Sequence, residues 1–389
     1  MQHPRPRRRS FLCQAGAAAL ALPVWRPARA QAGAAPGVSE REILIGQSIG
    51  LMQGRNAHGT GILAGVQACL ADTNRDGGVH GRRLVLRTLD DEGKSGLAAE
   101  HARKLVSEGV FVLFGCIEGG PSNAVMQVSD QAQVPLIAPM AGSPTLRRPH
   151  HPLVFPVRAE HKDEFRALMA YGQRTGLKRA VLFHADSDVG RQHLANAQGL
   201  AAELGIGFAG GVPFKGDVSD AQLAAAARRI AELGADLVIN HGSADVYERL
   251  VRAARAAGGR MQFWGVNSGS TDLAARLGPL AQGMVFAQVV PNPWSRKTAV
   301  AREYQASLRA AQPDLDFSYS SLEGYASARA LVAMLRKAGP GLTRASLLKA
   351  LVPFQHDLGG MPIEFRAGDH AGSRFVDLAM VSRDGRFLQ

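Results

Sequence analysis

The fold is decided by the segment that opens with Ile43-Leu-Ile-Gly-Gln-Ser48, turns at Asn74-Arg-Asp-Gly-Gly-Val-His-Gly81 and closes with Leu84-Val-Leu-Arg-Thr-Leu-Asp-Asp91. A glycine-rich run lies between the first stretch and the turn. This order predicts a strand, a loop, a helix, a tight turn and a second strand. Each strand ends in small or acidic residues, which suits a strand end that faces a ligand.

Strand and helix patterns alternate over most of the 389 residues. The apolar run Val110-Phe-Val-Leu-Phe114 is short and continuous, which is typical of a strand buried on both faces of a parallel sheet. A second strand–helix series begins near His161 and includes the strand patterns Ala180–His184 and Asp236–Asn240. The alternation predicts an α/β fold with parallel sheets covered by helices, and the length suits two lobes of about 150 residues each.

The first 30 residues are typical of a cleavable export signal, which is excluded from the fold. Four arginines between positions 5 and 9 precede the apolar stretch Phe11–Trp25, and Ala28-Arg29-Ala30 predicts cleavage before Gln31. Arg8-Arg9-Ser10-Phe11-Leu12 favours a twin-arginine signal, with an ordinary Sec signal as the alternative. We therefore expect a periplasmic protein.

The formal charge of +12 overstates the basicity of the exported chain. Residues 1–30 contain six arginines and no acidic residue, which leaves +6 for residues 31–389. These charges are scattered, and no basic block is interleaved with aromatic side chains, so we expect no nucleic-acid partner. No run of about 18 uninterrupted apolar residues is present, so we expect no membrane span in the mature chain.

The remaining motifs argue against an enzyme or a metalloprotein. A periplasmic location would permit a disulfide between Cys69 and Cys116, but we expect two buried free thiols. No CxxC motif or cysteine–histidine cluster indicates a metal site, and we expect no cofactor. Gly205-Ile-Gly-Phe-Ala-Gly210 has the letters of a dinucleotide-binding loop, but it follows a helix and opens a strand, the reverse of that motif. No nucleophile elbow or P-loop is present.

The segment from Ile43 to Asp91 resembles the opening of the leucine/isoleucine/valine-binding protein family, the type I periplasmic receptors of ABC importers. The resemblance extends over nearly all of the mature chain. It implies two Rossmann-like lobes joined by a three-strand hinge. Lobe one would comprise residues 41–157 plus 291–355, and lobe two residues 159–288 plus 360–389. The three crossings would fall near Pro156–Glu160, Gln288–Pro293 and Gln355–Pro362.

The loops after the strands are the candidate ligand contacts, because open α/β sheets bind ligands at the carboxyl ends of their strands. Gly115–Asn123 leads into a helix that starts near Gly120-Pro121-Ser122, where backbone N–H groups and the helix dipole suit a carboxylate. In the family this loop holds the ligand carboxylate with main-chain amides and a serine, which maps to Pro121 or Ser122. A plain helix cap is the structural alternative for Ser122.

The resemblance implies further ligand contacts after the other strands: Ala141, Gly142, Ser143, Val189, His241 and Asn267. Ser143 is equally suited to cap the following helix, and His241 to a structural role. Val189 replaces a tyrosine that stacks on the ligand in many relatives. Tyr319, Glu323 and Tyr325 lie on one predicted helix near the lobe junction.

The charge pattern of the site bears on the ligand. Amino-acid binders commonly carry an acid near Asn267 for the ligand's ammonium group, and a buried ammonium is costly without such a partner. Glu118, Asp186 and Asp188 are the available substitutes. Otherwise the solute lacks an ammonium group, as a small organic or aromatic acid does.

The implied function is that of an exported receptor, which we expect to be a monomer and not an enzyme. It would capture a small carboxylate-bearing solute between its lobes and deliver it to an ABC permease in the inner membrane. The alternative is a ligand-sensing module for a membrane kinase or chemoreceptor, because the same fold can pass its closed state to a signalling partner.

Overall fold

The computed structural model describes Met1 and residues 35–388, so the predicted export signal lies outside the described residues apart from Met1. Strands and helices alternate, as the sequence pattern predicts. The strands are β1 (Glu42–Ile49), β2 (Arg83–Asp90), β3 (Val112–Phe114), β4 (Leu136–Ile137), β5 (Val154–Phe155), β6 (Arg179–Ala185), β7 (Gly207–Phe214), β8 (Leu237–His241), β9 (Gln262–Gly265), β10 (Val285–Gln288), β11 (Phe354–Asp357), β12 (Pro362–Arg366), β13 (Asp369–Gly372), β14 (Asp377–Val381) and β15 (Phe387–Leu388).

The helices connect these strands and cover the faces of the sheets. They are α1 (Ala57–Arg75), α2 (Ser95–Ser107), α3 (Gly119–Ala132), α4 (His161–Arg174), α5 (Asp188–Leu204), α6 (Asp220–Glu232), α7 (Ala244–Ala256), α8 (Ser270–Leu277), α9 (Ala299–Ala311), α10 (Tyr319–Ala338) and α11 (Arg344–Leu351).

The strands form two large sheets of related topology. The first sheet has the order β2-β1-β3-β4-β5 and is parallel throughout. The second has the order β15-β14-β10-β9-β8-β6-β7, in which β6 to β10 are parallel and β14 and β15 are antiparallel. The strand order therefore reverses between β1 and β3 in one sheet and between β6 and β8 in the other.

Each large sheet is the middle layer of one lobe. In the first sheet Ile43 and Ile45 of β1 face one hydrophobic cluster, and the intervening Leu44 packs against another. In the second sheet Val181 and Leu182 of β6 likewise face opposite clusters. Helices close both faces: α1 to α3 and α9 to α11 belong to lobe one, and α4 to α8 to lobe two. The predicted α/β fold of two Rossmann-like lobes is confirmed.

The third crossing between the lobes lies later in the chain than the sequence analysis placed it. The strands β11, β12 and β13 form a separate antiparallel sheet, and Phe365 of β12 packs in the lobe-one core, 5.3 Å from the Phe155 ring. The assignment of residues 360–372 to lobe two is therefore wrong, because their apolar side chains complete the core of lobe one. The chain enters the second sheet only at β14, after the Ser373 N–H donates to the Val157 carbonyl (2.8 Å) in the first crossing.

The cysteines and the helices can each be compared with the sequence analysis. Cys69 and Cys116 are buried free thiols, as expected. In the part of the chain that the structure describes, none of the helices combines the length and the apolar character that a membrane span requires.

Glycines allow the helices α1 and α10 of lobe one to pack backbone to backbone. A Cβ on Gly65 of α1 would lie 1.8 Å from the Ser321 carbonyl oxygen, and a Cβ on Gly324 of α10 would lie 2.1 Å from the Ile62 carbonyl oxygen. Both distances are far below van der Waals contact, so neither site accepts even alanine without separating the two helices.

We expect Gly324→Ala to lower the free energy of unfolding by about 1–3 kcal/mol, because the added methyl overpacks a backbone contact. Urea unfolding followed by circular dichroism measures the change. Gly199→Ala on α5 is the matched control: a Cβ there meets no atom within 4 Å, so better helix propensity should stabilise the chain by about 0.5–1 kcal/mol. Equal effects of the two substitutions would contradict this packing.

Candidate functional site

The strand ends of the two lobes approach each other across one cleft. Gly119 follows β3, and a Cβ on it would lie 3.4 Å from Cγ1 of Val189, which follows β6. Gly269 follows β9, and a Cβ on it would lie 3.8 Å from Cβ of His58, which follows β1. The points where the strand order reverses thus lie on opposite walls of the cleft, the position where open α/β sheets bind ligands.

Two helices begin where Gly119 approaches Val189. The helix α3 starts at Gly119 in lobe one, and α5 starts at Asp188 in lobe two with the Ser187 side chain accepting from the Gly190 N–H (3.1 Å). The first N–H groups of a helix have no acceptor within it and carry the positive end of the helix dipole. The Gly119–Val189 approach therefore brings two anion-attracting helix ends together.

The predicted carboxylate loop is present, but its serine is not accessible. Ser122 is fully buried, and its hydroxyl has no hydrogen-bond partner among the described residues. The accessible residues of this helix start are Gly119 and Gly120. A solute entering the cleft would therefore meet main-chain amides of α3 before the Ser122 side chain.

Glu118, directly before α3, has an unusual backbone and an unusual carboxyl group. Its φ of 62° places a non-glycine residue in the left-handed region, where strain is commonly associated with functional sites. Glu118 is exposed to solvent, although protein atoms crowd its carboxyl group. Crowding by protein atoms and then the charge of Asp91 raise the pKa of the Glu118 carboxyl to about 7. This group can therefore change its charge near neutral pH.

The loop after β4 serves as a joint between the lobes. The Gly142 carbonyl accepts from the His161 N–H (3.0 Å) at the start of α4, while the carbonyls of Ala141 and Ser143 accept from Arg147 Nη1 at 3.3 and 3.0 Å. These three residues were predicted to offer oxygens to a ligand, and the structure shows their carbonyls already engaged. A Cβ on Gly142 would lie 2.6 Å from the His161 ring, so this position requires glycine.

The two aspartates considered as ammonium partners are also engaged. Arg191 pairs with Asp186 (3.3 Å) and with Asp188 on the exposed start of α5. Of the three acidic residues singled out in the sequence, Glu118 is the one without an ion pair among the described contacts.

Asn267 lies in a buried polar network instead of on the cleft surface. Its N–H donates to Glu164 Oε2 (2.9 Å), and its side-chain amide donates to Glu323. Arg158 at the first crossing pairs with Glu164 and lies 3.5 Å from Glu323 Oε1. Since Glu323 is on α10 of lobe one and Glu164 on α4 of lobe two, the network joins both lobes at the crossing.

Burial sets the protonation of this network. It raises the pKa of Glu323 to about 7, a rise that Arg158 opposes and Glu164 reinforces. Burial also acts on Glu164, but there Arg158 and His161 outweigh it and lower the pKa. The charge of Arg158 is therefore balanced mainly by Glu164, and Glu323 is the member that gains or loses a proton near neutral pH.

His241 belongs to a histidine cluster that the sequence analysis missed. Its ring centroid lies 3.9 Å from that of His193 and 4.7 Å from that of His161. Burial, followed by the charges of neighbouring histidines, lowers the pKa of His193 and His241 well below the ordinary value, so these rings are neutral at pH 7. The three histidines are far apart in the chain, and no motif spacing signals their convergence.

Comparisons with known proteins agree with this architecture. A family model described as "Periplasmic binding protein" matches residues 48–386. The Leu/Ile/Val-binding protein homolog 3 of Brucella melitensis is 24% identical over 333 residues, which cover 84% of this chain and 86% of the relative. Leu/Ile/Val-binding proteins from enteric bacteria are among the further matches.

Solved structures share the fold over most of its length. An extracellular ligand-binding receptor from Verminephrobacter eiseniae is 27% identical with a TM-score of 0.80, covering 90% of this chain and 100% of the receptor. A solute-binding protein of an ABC transporter from R. palustris, crystallised in complex with benzoate, has a TM-score of 0.76 over 89% of this chain and 95% of its own. The latter is 19% identical and shows the fold alone.

The raised pKa of Glu323 predicts a stability that falls as pH rises. The folded state holds the proton more tightly than the unfolded chain, so this stabilisation is complete below about pH 4.5 and is lost as pH rises through about 7. The side chain of Glu323→Gln stays neutral, so we expect this variant to lose less stability than the parent between pH 5 and pH 8. The difference between the two losses should be about 3 kcal/mol at most.

Denaturant unfolding at several pH values measures this difference. Glu203→Gln is the control, because Glu203 forms an exposed pair with Arg166 and its lowered pKa keeps its titration below this window. The control should keep the parent's pH dependence. Parallel pH profiles for the parent and Glu323→Gln would show that Glu323 does not titrate in this range.

Proposed function

The chain belongs to the periplasmic binding protein family, a family of solute-binding proteins, and we propose that it captures a small carboxylate-bearing solute between its lobes. The solute would then be delivered to an ABC permease in the inner membrane. The observation that carries this proposal is the meeting of the α3 and α5 N-termini across the cleft at Gly119 and Val189.

The chemistry of this meeting point favours an anion. Two helix starts supply main-chain N–H groups from opposite lobes, so a carboxylate between them would bind both walls at once. A solute that binds both lobes stabilises their closed arrangement by its differential affinity for that state. The closed form is what a permease would recognise.

The relatives support the same chemical class. Branched-chain amino acids, after which the Leu/Ile/Val-binding relatives are named, and benzoate, bound in the R. palustris protein, share a carboxylate and differ in the rest of the molecule. A site built on the carboxylate accommodates this range, with the remainder of the solute selected by the side chains around it. We infer that the carboxylate is the common element here as well.

Glu118 is the residue that would distinguish an amino acid from a simple organic acid. With its pKa raised to about 7, it can ionise to pair with a ligand ammonium, or stay protonated beside an uncharged or aromatic group. Two other residues predicted as ligand contacts, Val189 and Asn267, carry no charge. We therefore propose that Glu118 selects between the two solute classes. We also propose that the N-terminal signal directs export of the chain to the periplasm, where it acts as a monomer.

Gly119→Leu should weaken binding of carboxylate solutes by more than about tenfold, since the side chain would fill the space between the two helix starts. Leucine, benzoate and a dicarboxylate serve as probes, with binding found by thermal shift and measured by isothermal titration calorimetry on the purified chain. Gly199→Leu, at an open site on α5, is the control and should bind as the parent does. Undiminished binding by Gly119→Leu would place the solute elsewhere.

Glu118→Gln tests the choice of solute class. If the solute is an amino acid, this substitution should weaken its binding by about tenfold or more, because the ammonium loses its charged partner. Binding of benzoate should be unchanged or stronger at pH 8, where the parent carboxylate is ionised and repels the ligand. An equal effect on both solutes would exclude a role for Glu118 in selecting between them.

A further inference from the structure

Three histidines from separate elements of lobe two converge beside the cleft. His161 begins α4, His193 lies in the second turn of α5, and His241 ends β8. One ring nitrogen from each lies within 4.8 Å of the others. We propose that these three side chains form a binding site for a divalent transition-metal ion such as Zn²⁺.

The spacing of the rings is close to that of a formed metal site. Four-coordinate Zn²⁺ with bonds of about 2.0–2.1 Å to imidazole holds its ligand nitrogens about 3.3 Å apart. Nitrogens within 4.8 Å of one another reach that spacing by small ring rotations. Regular elements hold the three residues, since His161 lies on α4, His193 on α5 and His241 on β8.

The ring nitrogens that a metal would use are unoccupied by protein partners. Both nitrogens of His193 and Nδ1 of His241 are buried and have no hydrogen-bond partner among the described residues. His193 is completely buried. Buried polar atoms without a partner are rare in folded proteins and destabilise the folded state, so a bound ion would satisfy ring nitrogens that are otherwise unpaired.

His161 already has the supporting contact typical of a metal ligand. Its Nδ1 lies 2.8 Å from Glu164 Oε1, which leaves Nε2 as the nitrogen available to a metal. A carboxylate on the far nitrogen orients a ligating imidazole and raises its basicity. Glu164 is itself held by Arg158 and by the Asn267 N–H, so the orientation of His161 is fixed by the buried network.

The donor set defines the class of ion. Three neutral imidazoles suit Zn²⁺, Cu²⁺ or Ni²⁺, whereas Ca²⁺ and Mg²⁺ prefer oxygen ligands. Three protein ligands leave a fourth position for water or another molecule. His241 is the half-buried member of the cluster, so an ion would enter from its side. The Phe165 ring, 5.7 Å from His193 and 6.2 Å from His241, forms an apolar wall.

The neighbouring His184 does not belong to the cluster and offers a matched control. Its Nδ1 lies 2.9 Å from the Ala185 carbonyl oxygen, and its Nε2 faces β7, 2.6 Å from the position of a Cβ on Gly211. Both nitrogens are therefore directed away from the proposed ion. In His184→Asn the side-chain amide can replace the Nδ1 contact.

The test is Zn²⁺ binding by the purified full chain without a histidine tag, measured by competition with a chromophoric chelator after metal removal. We expect one tightly bound ion per chain. His161→Asn, whose amide can keep the contact with Glu164, and His241→Ala should each weaken binding by more than about 100-fold. His184→Asn should bind as the parent does. Visible absorption of the Co²⁺ form should show four-coordination in the parent and the control only.

Circular dichroism and thermal melting separate loss of the site from loss of the fold. Zn²⁺ should raise the melting temperature of the parent and of His184→Asn, and should leave that of His241→Ala unchanged. Absence of stoichiometric Zn²⁺ binding by the parent would overturn the proposal. Equal affinity of the parent, His161→Asn and His241→Ala would overturn it as well, because the ion would then lie elsewhere. Neither result depends on a solute, so these experiments test the metal site independently of the proposed transport function.

Discussion

Arg158 is buried at the first crossing between the lobes, and a buried guanidinium requires acidic partners. Glu164 of lobe two pairs with it, and Glu323 of lobe one lies 3.5 Å from it. The lobes are thus joined here by charge as well as by chain connectivity. Because removal of one partner from such a network leaves another charge uncompensated, at a cost of about 3–5 kcal/mol, the network fixes where α4 begins relative to α10.

The same network organises the wall of the cleft. Glu164 orients the His161 ring, and the His161 N–H holds the Gly142 carbonyl of lobe one. Consequently, a change in the relative position of the lobes would alter the contacts of His161 in the histidine cluster and those of Arg158 at the crossing.

The sequence predicted most helices and the long strands because their apolar periodicity is a local property. The strands β12 and β13 were assigned to the wrong lobe, since the pattern of a short amphipathic strand does not indicate which core will cover it. At the site, the sequence placed Glu118 and Val189 near helix starts, and the structure has them directly before α3 and in the first turn of α5. It also treated Ser122 and Asn267 as ligand contacts, whereas Ser122 is fully buried and Asn267 is buried with protein partners.

By itself, then, the sequence determined the α/β class, the two similar lobes and the helix starts that follow their strands. These depend on residue order within single strand–helix units. Only the tertiary structure decided that α3 and α5 meet across the cleft, that Glu323 shares Arg158 with Glu164, and that His161, His193 and His241 converge. Such contacts join residues from separate elements, and their geometry is set by how the sheets twist and pack, which no local pattern encodes.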